Sequence, residues 1–187
     1  IVSFVALVFI LSLSTFPRLD IGQDNTYAIH NFLTKSWKSN PIYQMEMQIK
    51  ERFKGVYPLN ILIDGKEPGA LKDPELLKKI DKFAIFIEEH VPEVAGSMHL
   101  PVYIKLMHRF FHGEDDNYFR VPDEEKPIGE YLYMYASAGE PGSFDSVIDY
   151  DYQEAILSFY LEDTSHETVR NSIATVNKYI EEQFNSE

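Results

Sequence analysis

The chain has no cysteine among its 187 residues. That excludes disulfides, a thiol nucleophile and zinc–thiolate centres. It is also short of positive charge. Its 17 Lys and Arg face 30 Asp and Glu, for a formal net charge of -13 at pH 7. Nucleic-acid affinity comes from Lys and Arg neutralising phosphates, so nucleic acid is a poor partner for such a chain. A polybasic surface for anionic lipid headgroups is missing for the same reason. No P-loop, dinucleotide fingerprint or Gly-x-Ser-x-Gly nucleophile turn occurs. Tryptophan is scarce, with one residue, whereas Tyr and Phe are abundant at 12 and 13.

Charge is missing altogether from residues 1–16, which also contain no Gly or Pro before Pro17-Arg18 ends the run. A bilayer core about 30 Å thick takes roughly 20 apolar helical residues. Sixteen residues reach only about 24 Å at about 1.5 Å each. The run reads as the end of a transmembrane helix over 1–17 that begins further upstream, followed by a water-facing domain over 18–187. A signal peptide would show a basic start and a small-x-small cleavage site, and neither is visible. A buried soluble helix would carry a polar stripe.

The remaining pattern is α+β. Residues 41–54 predict a helix, with Ile42, Met45, Ile49 and Phe53 recurring at helical spacing. Leu59 to Ile63 predicts a buried strand closed by Asp64-Gly65. Asp73-Pro74-Glu75 is a helix start: Asp caps free amides, Pro suits the first turn, and Glu sits at the positive end of the dipole. Leu76, Leu77, Ile80, Phe83 and Ile87 give that helix a core face. A second strand is expected over Val94 to Leu100, and a helix from Pro101 to Gly113. An acidic loop, Glu114 to Asn117, follows, then an aromatic helix over 127–138 and a turn over Gly139 to Gly142. Val147 to Leu161 reads as extended. Thr164-x-x-Glu167 reads as a capping box for a last helix, with Val169, Ile173, Val176, Ile180 and Phe184 on one face.

Two strand–helix units end alike, in Ile87-Glu88-Glu89 and Ile180-Glu181-Glu182, 93 residues apart. The first is followed by a return strand at Val94 to Leu100, whereas the second reaches Glu187 without one. This predicts two βαβ-type subdomains, about 18–100 and 101–187, with the last strand missing.

In order along the chain, these segments resemble the periplasmic porter domain of the resistance-nodulation-division superfamily, in its MMPL-like hydrophobe/amphiphile exporter branch. The resemblance rests on Phe16 to Asp24, Pro58 to Gly65, Lys72 to Leu77, Tyr118 to Asp123, Ile128 to Tyr135, and Asp149-Tyr150-Asp151-Tyr152. The last two stretches look more like the second of the family's two periplasmic loops. The usual Gly-Gly-x-x-Pro entry to the first strand is replaced here by Lys54-Gly55-Val56-Tyr57-Pro58. The resemblance implies two ferredoxin-like porter subdomains after a membrane span, in a proton-driven exporter of lipids or other amphiphiles. It also implies an inner-membrane location, with the main domain on the periplasmic or extracellular side. The implied partners are a hydrophobic small molecule or lipid, the membrane through residues 1–16, and the rest of the same transporter; a homo-oligomer is left open. The family's proton-relay acids lie in membrane helices that match no stretch of this chain. No catalytic residue, cofactor or metal is implied. The alternative from another class is a membrane-anchored extracytoplasmic sensor or protein-interaction domain, and a secreted hydrolase is a third reading.

The residues themselves offer two candidate sites. His108 and His112 lie four apart on one helix beside Glu114, Asp115 and Asp116, a spacing that could face a metal. Histidines on the surface beside an acidic loop are the favoured reading, because a zinc site needs at least three placed ligands. The second set is Tyr103, Met107, Phe110 and Phe111 on one helix and Tyr131, Met134 and Tyr135 on another. Met and aromatic side chains adapt to greasy ligands, which makes these residues candidates for a substrate path. The plainer reading is that they form core.

Overall fold

The computed structural model describes residues 39–53, 55–138 and 144–184. The expected membrane helix over 1–17, the extended exit after it and the turn over 139–142 lie outside the described residues. Those residues form an α+β fold of five α-helices and one three-stranded antiparallel sheet. The order is α1 (Pro41–Phe53), β1 (Tyr57–Asp64), α2 (Pro74–His90), β2 (Val94–Met98), α3 (Leu100–Phe111), α4 (Glu125–Ala138), β3 (Glu154–Leu161) and α5 (His166–Gln183). No helix among the described residues is long and apolar enough to cross a membrane.

The sheet order is β1-β3-β2, and β3 is antiparallel to both neighbours. The two strands of the first half are therefore parallel to each other, with the strand of the second half between them. Residues from 18–100 and 101–187 share one sheet. β3 is central, and Ala155, Leu157, Phe159 and Leu161 point to its buried face. That face packs on α2 and α5, where Phe83, Ala84, Ile87, Val91 and Val176 complete a cluster. Phe83 meets Phe159 edge-on with ring centroids 6.0 Å apart and lies 5.0 Å from Tyr179 of α5.

α2 begins as expected. Asp73 is its N-cap and accepts from the Glu75 N–H at 3.0 Å, with Pro74 in the first turn. Its first half, Leu77 and Ile80, belongs to a different cluster with Leu100, Ile104, Ile128 and Leu132 of α3 and α4. One helix thus joins two cores.

Several expectations are corrected. β2 stops at Met98 because α3 starts at Leu100, with His99 as its N-cap residue and Pro101 in the first turn. Only residues 154–161 of the expected extended stretch form a strand. Asp149 Oδ1 accepts from the N–H groups of both Gln153 and Glu154, which closes Asp149-Tyr150-Asp151-Tyr152 into a loop. That loop is tied to the β1–α2 connection by Gly69 N–H to Asp151 O and Leu71 N–H to Tyr152 O.

The cap of α5 is Ser165, one residue beyond Thr164. Ser165 Oγ accepts from the Thr168 N–H, while the Asp163 carboxylate takes the Ser165 N–H and holds the chain extended there. The buried face of α5 is Thr168, Ser172 and Val176, and Ile173 is exposed. Ser172 is compatible with full burial because its hydroxyl donates to the Thr168 carbonyl at 2.8 Å.

β1 is half-buried on one face only: Tyr57, Leu59, Ile61 and Ile63 alternate with exposed residues. α1 departs furthest from the usual rule, since its apolar stripe Ile42, Met45, Ile49 and Phe53 is exposed and no residue of the helix is buried. The contacts run along another side of the helix. The Tyr57 hydroxyl donates to Glu46 at 2.9 Å, and the Lys50 ammonium lies 5.5 Å from the centre of the Tyr57 ring.

Candidate functional site

α3 and α4 bring the aromatic candidates together because both helices turn apolar residues inward at spacings of three and four. Tyr103, Met107 and Tyr135 pack against the α2–α3–α4 cluster, and Tyr131 is buried within it. Tyr103 stands edge-on to Tyr135 at 5.3 Å and to Phe144 at 5.7 Å, and Tyr135 lies 4.6 Å from Phe144. The tyrosine rings are therefore partly core.

Above this base is an open pocket of about 380 Å³, lined by Tyr103, Leu106, Met107, Arg109, Phe110, Glu114 and Tyr135. Four of the seven candidates meet there: Tyr103, Met107, Phe110 and Tyr135. Phe110 is 63% exposed and forms the outer lip. Phe111 lies outside this lining and stacks in parallel on Tyr131 at 5.5 Å. Met134 is also outside it, half-exposed on α4.

Sequence reasoning missed Leu106, Arg109 and Glu114 in this lining, and Phe144 beneath it. Leu106 is one residue from Met107 and could have been found by asking which apolar residues the α3 stripe leaves out. Phe144 carries no periodic signal, because it sits in a turn. Arg109 is bound to Asp116 at 3.2 Å and lies 5.4 Å from the Phe119 ring centre. The charged side chains of the lining are Arg109 and Glu114.

His108 is buried, which corrects the expectation of a surface histidine. Its Nδ1 lies 3.0 Å from the Tyr131 hydroxyl, and its Nε2 is buried without a hydrogen-bond partner. Burial lowers its pKa, with His112 and Arg120 adding to that and Asp123 opposing it. His112 stays beside it, the two rings edge-on at 4.5 Å, but it stacks on Tyr118 at 3.8 Å and its Nδ1 meets the His108 carbonyl at 2.7 Å. Among the described residues no group of three or more His, Asp or Glu is placed to hold a metal ion.

A second polar group is buried at the start of α3. Lys105 binds Asp81 at 2.6 Å and lies 5.0 Å from the Phe119 ring centre. His99, 3% exposed, has no hydrogen-bond partner at Nδ1, and its Nε2 is 4.0 Å from Asp81, too long for a hydrogen bond. Its pKa is lowered to about 4, chiefly by burial, with Asp81 opposing and Lys105 reinforcing the shift. His99 is thus a neutral ring at pH 7.

On the surface, Asp123 bridges Lys78 at 2.9 Å and Arg120 at 2.8 Å, and their hydrogen bonds hold its carboxyl at about 2. Comparison of the chain with protein-family models, with curated proteins and with solved structures finds no match.

Proposed function

We propose that this chain contains the extracytoplasmic porter domain of a proton-driven exporter of lipids or other amphiphiles, anchored through residues 1–16. One observation carries the reading: an open pocket whose walls are Met, Leu and aromatic side chains and whose rim is polar. Such a lining suits a ligand with a greasy body and a wet end. It binds and passes a substrate, and no bond is broken there.

The sheet supports a ferredoxin-like reading of one unit, where the sequence suggested two. A parallel pair, β1 and β2, joined by α2 and split by an antiparallel β3, is the arrangement of a ferredoxin-like split βαβ unit. On this reading the ferredoxin-like unit spans both halves of the chain, and α3 and α4 are an insertion between β2 and β3 that carries the pocket.

The test is binding of a fluorescent lysolipid to the full chain in neutral detergent. Phe110→Ala and Leu106→Ala alter exposed residues, so the fold is retained. Each is expected to weaken binding about 10-fold, as loss of an apolar anchor does. Unchanged affinity in both variants removes the pocket from the reading.

The exposed stripe of α1 favours a second reading, a membrane-anchored protein-interaction domain. The two readings separate on the polypeptide beyond residue 187, where an exporter carries further membrane spans and an anchored interaction domain needs none.

A further inference from the structure

We infer that the free edge of β1 is the seat of a fourth strand, donated by the polypeptide that follows α5 and running antiparallel to β1. The inference rests on the ferredoxin-like reading of the sheet and is independent of the exporter reading.

Three observations lead there. First, β1 has one strand neighbour among the described residues, β3, whereas β3 is paired on both sides. Gly65 N–H donates to Gln153 O at 2.9 Å. Counting back by twos in the unbroken register, Tyr57, Leu59, Ile61 and Ile63 turn their main chain towards β3. Asn60, Leu62 and Asp64 turn their N–H groups to the free edge. Pro58, also on that side, has no N–H to leave unpaired, which suits an edge.

Second, α2 and α5 cover the same face of the sheet, since Phe83, Ala84 and Ile87 share one cluster with Val176, Tyr179 and Ile180 over Leu157 and Phe159. Strand–helix–strand crossovers between parallel strands are right-handed in nearly every case. Two right-handed crossovers on one face step in opposite directions when they leave from antiparallel strands. The crossover from β1 steps over β3 to reach β2. The crossover that leaves β3 through α5 therefore steps over β1 and lands on its free edge, parallel to β3.

Third, the helix-facing side chains of β1 are only half-buried, although the matching positions on β3 are buried. A strand beside β1 with apolar residues at alternate positions would extend that face beyond Leu59 and Ile61.

An eight-residue edge with no strand partner among the described residues also invites a second copy of the chain, so the test separates the two occupants. Amide hydrogen exchange is followed in the 187-residue chain and in the same chain extended through the first extended run of its natural continuation. Asn60, Leu62 and Asp64 are expected to exchange at least ~100-fold more slowly in the extended chain, as edge amides do when they gain a ladder partner. The absence of cysteine permits a second measurement in the full-length membrane protein. Leu62→Cys, at an exposed position, is paired with single cysteines along the following run. Directly opposed residues in antiparallel strands have Cα atoms close enough for a disulfide. An intramolecular disulfide is expected at one register position and not at positions two residues to either side, which lie beyond disulfide reach. Unchanged exchange overturns the inference. So does a Leu62→Cys disulfide that forms between molecules and scales with concentration, and so does a natural chain with no extended run after α5.

Discussion

α2 serves two cores of different kinds. Its C-terminal half, with Phe83, Ala84 and Ile87, meets β3 and α5 in an apolar cluster, and the polar side chains buried on α5 beside it are two small hydroxyls, Thr168 and Ser172. Its N-terminal half, with Leu77 and Ile80, meets α3 and α4, where Tyr131, His99, His108 and Lys105 are buried too. The sheet-side core is held by area: side chains such as Phe159 and Leu157 are removed from water on a strand paired on both sides. The helical core carries polar groups that need partners, and two of them, His99 Nδ1 and His108 Nε2, have none, as is also true of Ser97 Oγ on β2. An unpaired buried polar atom costs stability, and the two imidazoles put more of that cost on the helical side. The open pocket lies on that side.

The contrast can be broken most forcefully at Phe159. Phe159→Ala removes a fully buried ring from the sheet-side core and should cost about 3–5 kcal/mol in urea unfolding, enough to unfold a marginal domain. A loss below about 1 kcal/mol would mean that this core is not what holds the sheet.

The helical core should instead respond to pH through His99. Its folded pKa, about 4, lies below the ordinary value of 6.5. Between these values the unfolded chain binds more protons than the folded one. Stability is therefore full above pH 6.5 and falls as the pH drops towards 4, by roughly 3 kcal/mol if this residue acts alone. His99→Met should flatten that slope in thermal unfolding from pH 7 to 4, and an unchanged slope assigns it to other groups.

At Gly55 the sheet side has a steric limit. An added Cβ would lie 2.5 Å from the Tyr160 carbonyl oxygen and 2.7 Å from the Ala95 Cβ. Gly55→Ala is expected to destabilise by about 1–3 kcal/mol, through forced movement of backbone. Tyr131→Phe, on the other side, leaves His108 Nδ1 without its partner and should cost about 1–2 kcal/mol while keeping the ring stack on Phe111. The smallest effect on stability is expected at Phe110→Ala, within about 0.5 kcal/mol, because the ring is exposed. If that variant loses ligand without losing stability, the pocket and the core beneath it are separable.

The sheet-side core was the more legible of the two regions. Phe83 and Ile87 stand at helical spacing, which places them on a core face, and the run Ala155 to Leu161 reads as a strand, although Ile156 and Tyr160 leave its buried face open. The helical side was legible in its apolar residues and illegible in its polar ones. His108 sits on the same helix face as Ile104, but nothing local says that Tyr131 will meet it from 23 residues away. The cap of α5 moved from Thr164 to Ser165 because an aspartate side chain two residues earlier competes for the backbone. The stripe of α1 has a clear helical period, yet periodicity says only that a face is apolar and not what it faces.

By itself, then, the sequence determined the α+β class, most of the helices, the Asp73 cap and the apolar faces, because these follow from backbone preference and short-range spacing. Tertiary structure decided that strands from both halves share one sheet with β3 in the middle, that α3 and α4 carry a pocket, and which polar groups are buried. Those outcomes depend on pairings across tens of residues, where chain handedness and the competition for partners act and local pattern is silent.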